Sequence, residues 1–69
     1  MILFSKRLTQ LGTEKNMSIT ALSESIKVSA STISSWENGK TYPRASALYA
    51  LIKFFAVRAD YLLGLTDNN

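Results

Sequence analysis

Ser18-Ile19-Thr20-Ala21-Leu22-Ser23-Glu24-Ser25-Ile26-Lys27-Val28-Ser29-Ala30-Ser31-Thr32-Ile33-Ser34-Ser35-Trp36-Glu37-Asn38-Gly39 is the stretch on which the reading of this chain turns. Ser18 stands where a helix N-cap belongs, its hydroxyl able to accept a free backbone N–H at the start of a helix over 19–26. Leu22 and Ile26, four residues apart, would face inward. Ser29 repeats the capping arrangement and opens a helix from Ala30 to Asn38, with Ile33 and Trp36 inward. Gly39 then suits the left-handed conformation that ends a helix. Between the two runs, Val28 is the apolar residue of a tight turn and reads as a plug beneath it, fixing the crossing angle. Such spacing alone fits any compact helical pair.

Working outward, Leu3, Phe4, Leu8 and Leu11 recur at helical spacing and predict a first amphipathic helix ending near Lys15. Gly12 inside it costs about 1 kcal/mol relative to Ala. Asn16, which tolerates a left-handed backbone, sits where the chain must turn. Thr41-Tyr42-Pro43-Arg44 reads as a loop, followed by a fourth helix over about Ala45 to Phe55. A short fifth helix runs from about Ala59 to Leu63 and is stopped by Gly64. Thr66-Asp67-Asn68-Asn69 should fray.

The chain has 69 residues, which leaves room for one small domain, residues 1–69, and no second. A domain of this size buries only about 60% of its unfolded surface, so it must pack efficiently or associate. Cys and His are both absent. That removes disulfides, Cys-based metal sites and the commonest general base, and fits a soluble protein of a reducing compartment. Met1-Ile2-Leu3-Phe4 is apolar, but Ser5-Lys6-Arg7 follow at once, so no signal-peptide core forms. Ala45 to Val57 is interrupted by Ser46 and Lys53 and is too short to span a bilayer. The formal charge of +3 points toward an anionic partner.

Taken together, Ser18 with Leu22, Ile26-Lys27-Val28-Ser29, Thr32-Ile33-Ser34-Ser35-Trp36-Glu37-Asn38-Gly39-Lys40 and Pro43 resemble the Cro/phage-repressor (Xre-type) helix-turn-helix family. Asp60-Tyr61-Leu62-Leu63-Gly64-Leu65 is similar to its last helix, and Phe4-Ser5-Lys6-Arg7-Leu8 to its first. The resemblance covers nearly the whole chain. It implies an all-α, compact, five-helix lambda-repressor-like fold, and binding of double-stranded operator DNA as a two-fold dimer. It also implies a phage, prophage or mobile-element gene working in a bacterial cytoplasm, as the short length without an effector domain does.

Carried over position by position, the resemblance makes Ala30, Ser31, Thr32, Ser34 and Ser35 candidates for base contact, on a helix lying in the major groove. Ser18 and the backbone of Ile19 would abut phosphate, where free N–H groups and the helix dipole favour anions. Asn38, Lys40, Thr41 and Arg44 would add phosphate contacts. The chain also departs from the family. It has Ile19 where Gln is frequent, Ser23 where Ala is usual and Lys27 where Gly is usual. Lys27 must therefore adopt a left-handed conformation or shift the turn. Gly12 replaces an Arg that often pairs with the glutamate here numbered Glu37, leaving Arg7 or Lys15 to substitute.

Other conspicuous residues read as structural. Trp36 belongs to the core, Glu37 is a structural or capping partner, Asp60 complements a helix dipole, and Lys6, Lys15 and Lys53 are solvated. The fourth helix is apolar nearly all round. Leu48, Leu51, Ile52 and Phe55 supply a core stripe, yet Tyr49, Ala50, Phe54 and Ala56 leave little polar surface. A patch of Tyr49, Phe54, Val57, Arg58, Tyr61 and Leu65 would suit a homodimer or a companion repressor protein. Enzyme chemistry is excluded for want of a nucleophile–base pair, metal set or phosphate loop, with no cofactor or small-molecule substrate implied. Two readings remain: a DNA-binding regulator of the repressor/Cro type, and a modulator or antirepressor acting mainly through protein contact.

Overall fold

The structure is a computed structural model that describes residues 2–67, with α1 (Ile2–Glu14), α2 (Ile19–Ile26), α3 (Ala30–Glu37), α4 (Ala45–Phe55) and α5 (Ala59–Leu62). The chain is all-α over the described residues, as its periodicity requires. α1 packs on α3 and α5, while α2 packs on α3 and α4. α2, α3, α4 and α5 each begin after an extended N-cap residue. Ser18 Oγ accepts the Ala21 N–H at 3.0 Å, and Ser29 Oγ accepts the Thr32 N–H at 3.3 Å. α3 stops one residue short of expectation, with Asn38 as its C-cap and Gly39 at φ 74°. The fifth helix likewise ends at Leu62, with Gly64 at φ 86° reversing the chain.

The core takes Phe4, Leu8 and Leu11 from α1, Leu22 from α2, and Ile33 with Trp36 from α3. Leu51 and Phe55 of α4, Val57 of the turn that follows it and Leu62 of α5 complete it. Leu48, Ile52, Ile26 and Val28 are half-buried against this cluster. Leu3, expected on the inward stripe of α1, stays 45% exposed, and its Cβ lies where a side chain on Gly64 would stand.

Three non-glycine residues adopt positive φ: Asn16 (55°), Lys27 (61°) and Ala56 (56°). Asn16 turns the chain as expected, and Lys27 takes the left-handed option without moving the turn. Ala56 was expected inside the apolar surface of the fourth helix. It instead ends α4, donating its N–H to the Ile52 carbonyl.

Two buried polar groups tie distant elements together. Ser5 Oγ donates to the Trp36 carbonyl at 2.7 Å, joining α1 to the last turn of α3. Arg7, 9% exposed, donates Nη1 to the carbonyls of Tyr61 and of Thr66, the latter at 2.7 Å. Its Nη2 meets Asp67 Oδ1 at 3.0 Å. Thr66 and Asp67, expected to fray, are therefore held; the other two residues of that expectation, Asn68 and Asn69, lie outside the described residues. No helix among the described residues is long and apolar enough to cross a membrane.

Candidate nucleic-acid interface

Ile33 and Trp36 anchor α3 in the core, so its opposite side faces solvent. Ala30, Ser31 and Thr32 are exposed, while Ser34 and Ser35 are half-buried. Beside α3, the chain over 41–47 stands off the helix and leaves an open cleft of about 540 Å³. Ser31, Thr32 and Ser35 line one side, and Thr41 and Arg44 the other. Five of the residues expected to touch DNA thus meet in one place. Ala30, Ser34, Asn38 and Lys40 lie outside the cleft on or just beyond the same helix, and Ser18 and Ile19 at the start of α2.

Their local bonds differ. Ser18 is exposed and already spends its Oγ on the cap. Ile19 is half-buried and packs its side chain against the core, so only its backbone could meet an anion. Asn38 turns its amide back on α3, donating Nδ2 to the Ser34 carbonyl at 2.9 Å and to Ser34 Oγ at 3.3 Å. Lys40, Thr41 and Arg44 are exposed. The loop also supplies Tyr42 and Pro43 to the cleft, and the first turn of α4 supplies Ser46 and Ala47; none of these four is among the DNA contacts expected from the sequence. Their signal was positional: a proline two residues ahead of a helix start, next to a base already singled out. Tyr42 rests edge-on against Phe4, with ring centroids 6.1 Å apart.

Glu37 has neither expected partner. Arg7 is committed to the carbonyls of Tyr61 and Thr66 and to Asp67, and Lys15 makes no ion pair with Glu37. Half-burial without a compensating cation pushes the Glu37 carboxyl above its ordinary value.

The apolar patch of α4 is present but smaller than expected. Tyr49 is 63% exposed, Phe54 36% and Leu65 77%. Val57, assigned to this surface, is buried, because the left-handed Ala56 reverses the chain and turns Val57 under the helix end. Tyr61 is half-buried, with the Arg7 guanidinium 4.2 Å over its ring. Arg58 is exposed and paired with Asp60, Nε to Oδ1 at 3.0 Å. The hydrogen bond from Arg58 holds the Asp60 carboxyl below its usual value, and Asp60 raises the Arg58 guanidinium in return.

Two capped helices crossing through a left-handed turn, the second exposing its outer face beside a basic loop, define a helix-turn-helix protein. Residues 9–62 match the family described as Helix-turn-helix, of the Cro/C1 type, and the chain belongs to it. That is a family of DNA-binding transcription regulators and not of enzymes. The chain is similar to the HTH-type transcriptional activator BcrR of Enterococcus faecalis, with 45% identity over 60 residues. Those residues are 87% of this chain but 29% of the relative, so the chain spans less than a third of that protein's length. No solved structure matches it.

Proposed function

We propose that residues 1–69 form one helix-turn-helix domain of a DNA-binding transcription regulator of the phage repressor/Cro type, binding operator DNA as a two-fold dimer through α3. The observation that carries this reading is the meeting of Ser31, Thr32 and Ser35 with Thr41 and Arg44 around one open cleft. A helix face beside a cationic loop fits base edges and sugar–phosphate together. Lys40 and Arg44 supply phosphate neutralisation, and Ser18 with the Ile19 N–H offers the positive end of α2 to a second phosphate. Specificity comes from short hydroxyl contacts, water and DNA shape. Such a regulator works in the cytoplasm of a bacterial or phage-infected cell.

The test is a titration against the gene's own upstream DNA and against random duplex, at about 50 and 200 mM salt. A tight, sequence-dependent complex at the higher salt supports the proposal. Lys40→Ala and Arg44→Ala should each flatten the log–log salt slope by about 0.9. A slope unchanged by both removes the phosphate assignment. A promoter reporter reads the sign of regulation: the phage-repressor reading expects repression, whereas the relative's name says activator.

A second reading has its own observation. Tyr49 and Leu65 expose large apolar side chains, and α3 offers no long base-reading side chain at its expected contact positions. A modulator or antirepressor would bind a companion repressor through that patch. It would be indifferent to Lys40→Ala and fail with Tyr49→Lys. The dimeric DNA reader would instead lose self-association with Tyr49→Lys, visible as a concentration-independent monomer by sedimentation.

A further inference from the structure

Discrimination between base pairs is strongest when a side chain makes two fixed hydrogen bonds, Arg or Lys to guanine and Asn or Gln to adenine. The exposed first turn of α3 carries none of these. Asn38, at the other end, turns its amide back on Ser34. Hydroxyls are the next resource, but each can donate or accept, so a lone hydroxyl pairs with either base edge and specifies little. Two of them are also engaged with each other. Thr32 Oγ1 lies 2.7 Å from Ser29 Oγ, closing a hydrogen bond at the helix cap. With its hydroxyl engaged at the cap and able there to donate or accept, the group by which exposed Thr32 can tell one base from another is its methyl. Ala30, exposed two residues earlier, offers only a methyl.

The major-groove feature that a methyl can read is the C5-methyl of thymine, which no other standard base carries. Short side chains also let the helix backbone sit close to the groove floor, within van der Waals range of that group. We infer that α3 selects duplex DNA by thymine C5-methyls packed against Ala30 and Thr32. The inference rests on the DNA-binding reading above.

The experiment starts with the full chain and a randomised duplex library synthesised with thymine. Enriched sequences are remade with deoxyuridine for thymine, which deletes the methyl and keeps every hydrogen-bonding edge. Affinity should fall roughly fourfold for each contacted methyl, and roughly sixteenfold when one is contacted in each of two half-sites. Thr32→Ser, which keeps the hydroxyl, should abolish the thymine-over-uracil preference at its position. Thr32→Val, which keeps a methyl, should retain it. Enrichment of a sequence that binds equally well with uracil overturns the inference and leaves DNA reading intact. Enrichment of no sequence overturns both.

Discussion

A β-carbon at positive φ crowds the neighbouring carbonyl at a cost of about 1–2 kcal/mol, and the chain accepts this at Lys27 and Ala56. Ala56 is exposed, so nothing but the turn requires its conformation. Ala56→Gly should therefore stabilise the fold by about 0.5–1 kcal/mol after glycine's greater unfolded entropy is subtracted. Thermal unfolding should shift up by roughly 4 °C. Gly64→Ala should do the reverse, losing about 2 kcal/mol or more, because φ is 86° and the new Cβ would stand 2.8 Å from Leu3 Cβ. Glu37 supplies a pH-dependent test at the same scale. Its folded carboxyl is raised above 4.5 by desolvation, so the protonated form is favoured in the fold. The stability this provides is complete below that value and is lost as pH rises through the folded pKa. Glu37→Gln should lack this decline. The difference in melting temperature between parent and variant, followed from pH 4 to 7, should grow in favour of Gln; a constant difference removes the assignment. Asn16 and Gly39 are readable because asparagine, with its short polar side chain, and glycine, with no Cβ, are the residues that tolerate positive φ. Ala56 is not, because alanine gives no local sign of it.

Two helix ends in this chain are built alike, and seeing one explains the other. Lys27-Val28-Ser29-Ala30 and Ala56-Val57-Arg58-Ala59 both run from a left-handed residue through a core-facing valine and an extended N-cap to the first residue of the next helix. In each, the valine N–H returns to the preceding helix, Val28 to the Ser23 carbonyl at 3.2 Å and Val57 to the Ile52 carbonyl at 3.3 Å. Val28 was legible as a plug because serine caps bracket its helix pair. Val57 was misassigned to the surface because its turn ends in Arg58, which makes no side-chain cap. The same uncapped start occurs at α4, where Arg44 stands as N-cap without a side-chain hydrogen bond. Serine there could accept a free N–H, and Arg44→Ser should stabilise the helix by about 0.5–1 kcal/mol. It should at the same time flatten the salt dependence of DNA binding by about 0.9. Higher stability with unchanged binding would mean that Arg44 touches no phosphate.

Across the whole molecule, helices and caps follow from neighbouring residues, whereas the contacts that close the fold do not. The Ser5–Trp36 bond spans 31 residues, and the Arg7 contacts span 54 to 60. No periodicity announces either; from the sequence Arg7, like Lys15, reads as a substitute partner for Glu37, because Gly12 occupies the position of the family's usual arginine. Burial decides what Arg7 does. Its guanidinium is desolvated under α5, stacked on Tyr61 and bonded to two carbonyls, while Asp67, the carboxylate it meets, is fully exposed. The ion pair is consequently screened on one side and contributes little, and the carbonyls carry the clamp. A chain of this length has roughly 3–10 kcal/mol of total stability, so a buried polar clamp is a large fraction of it. Arg7→Ala should cost about 3 kcal/mol or more by leaving both acceptors and the tyrosine face without their partner. Asp67→Ala should stay within about 0.5 kcal/mol of the parent. Urea unfolding of the two variants separates the cases: equal losses would make the Asp67 pair the source of the stability, and a loss confined to Arg7→Ala would locate it in the carbonyls and the ring.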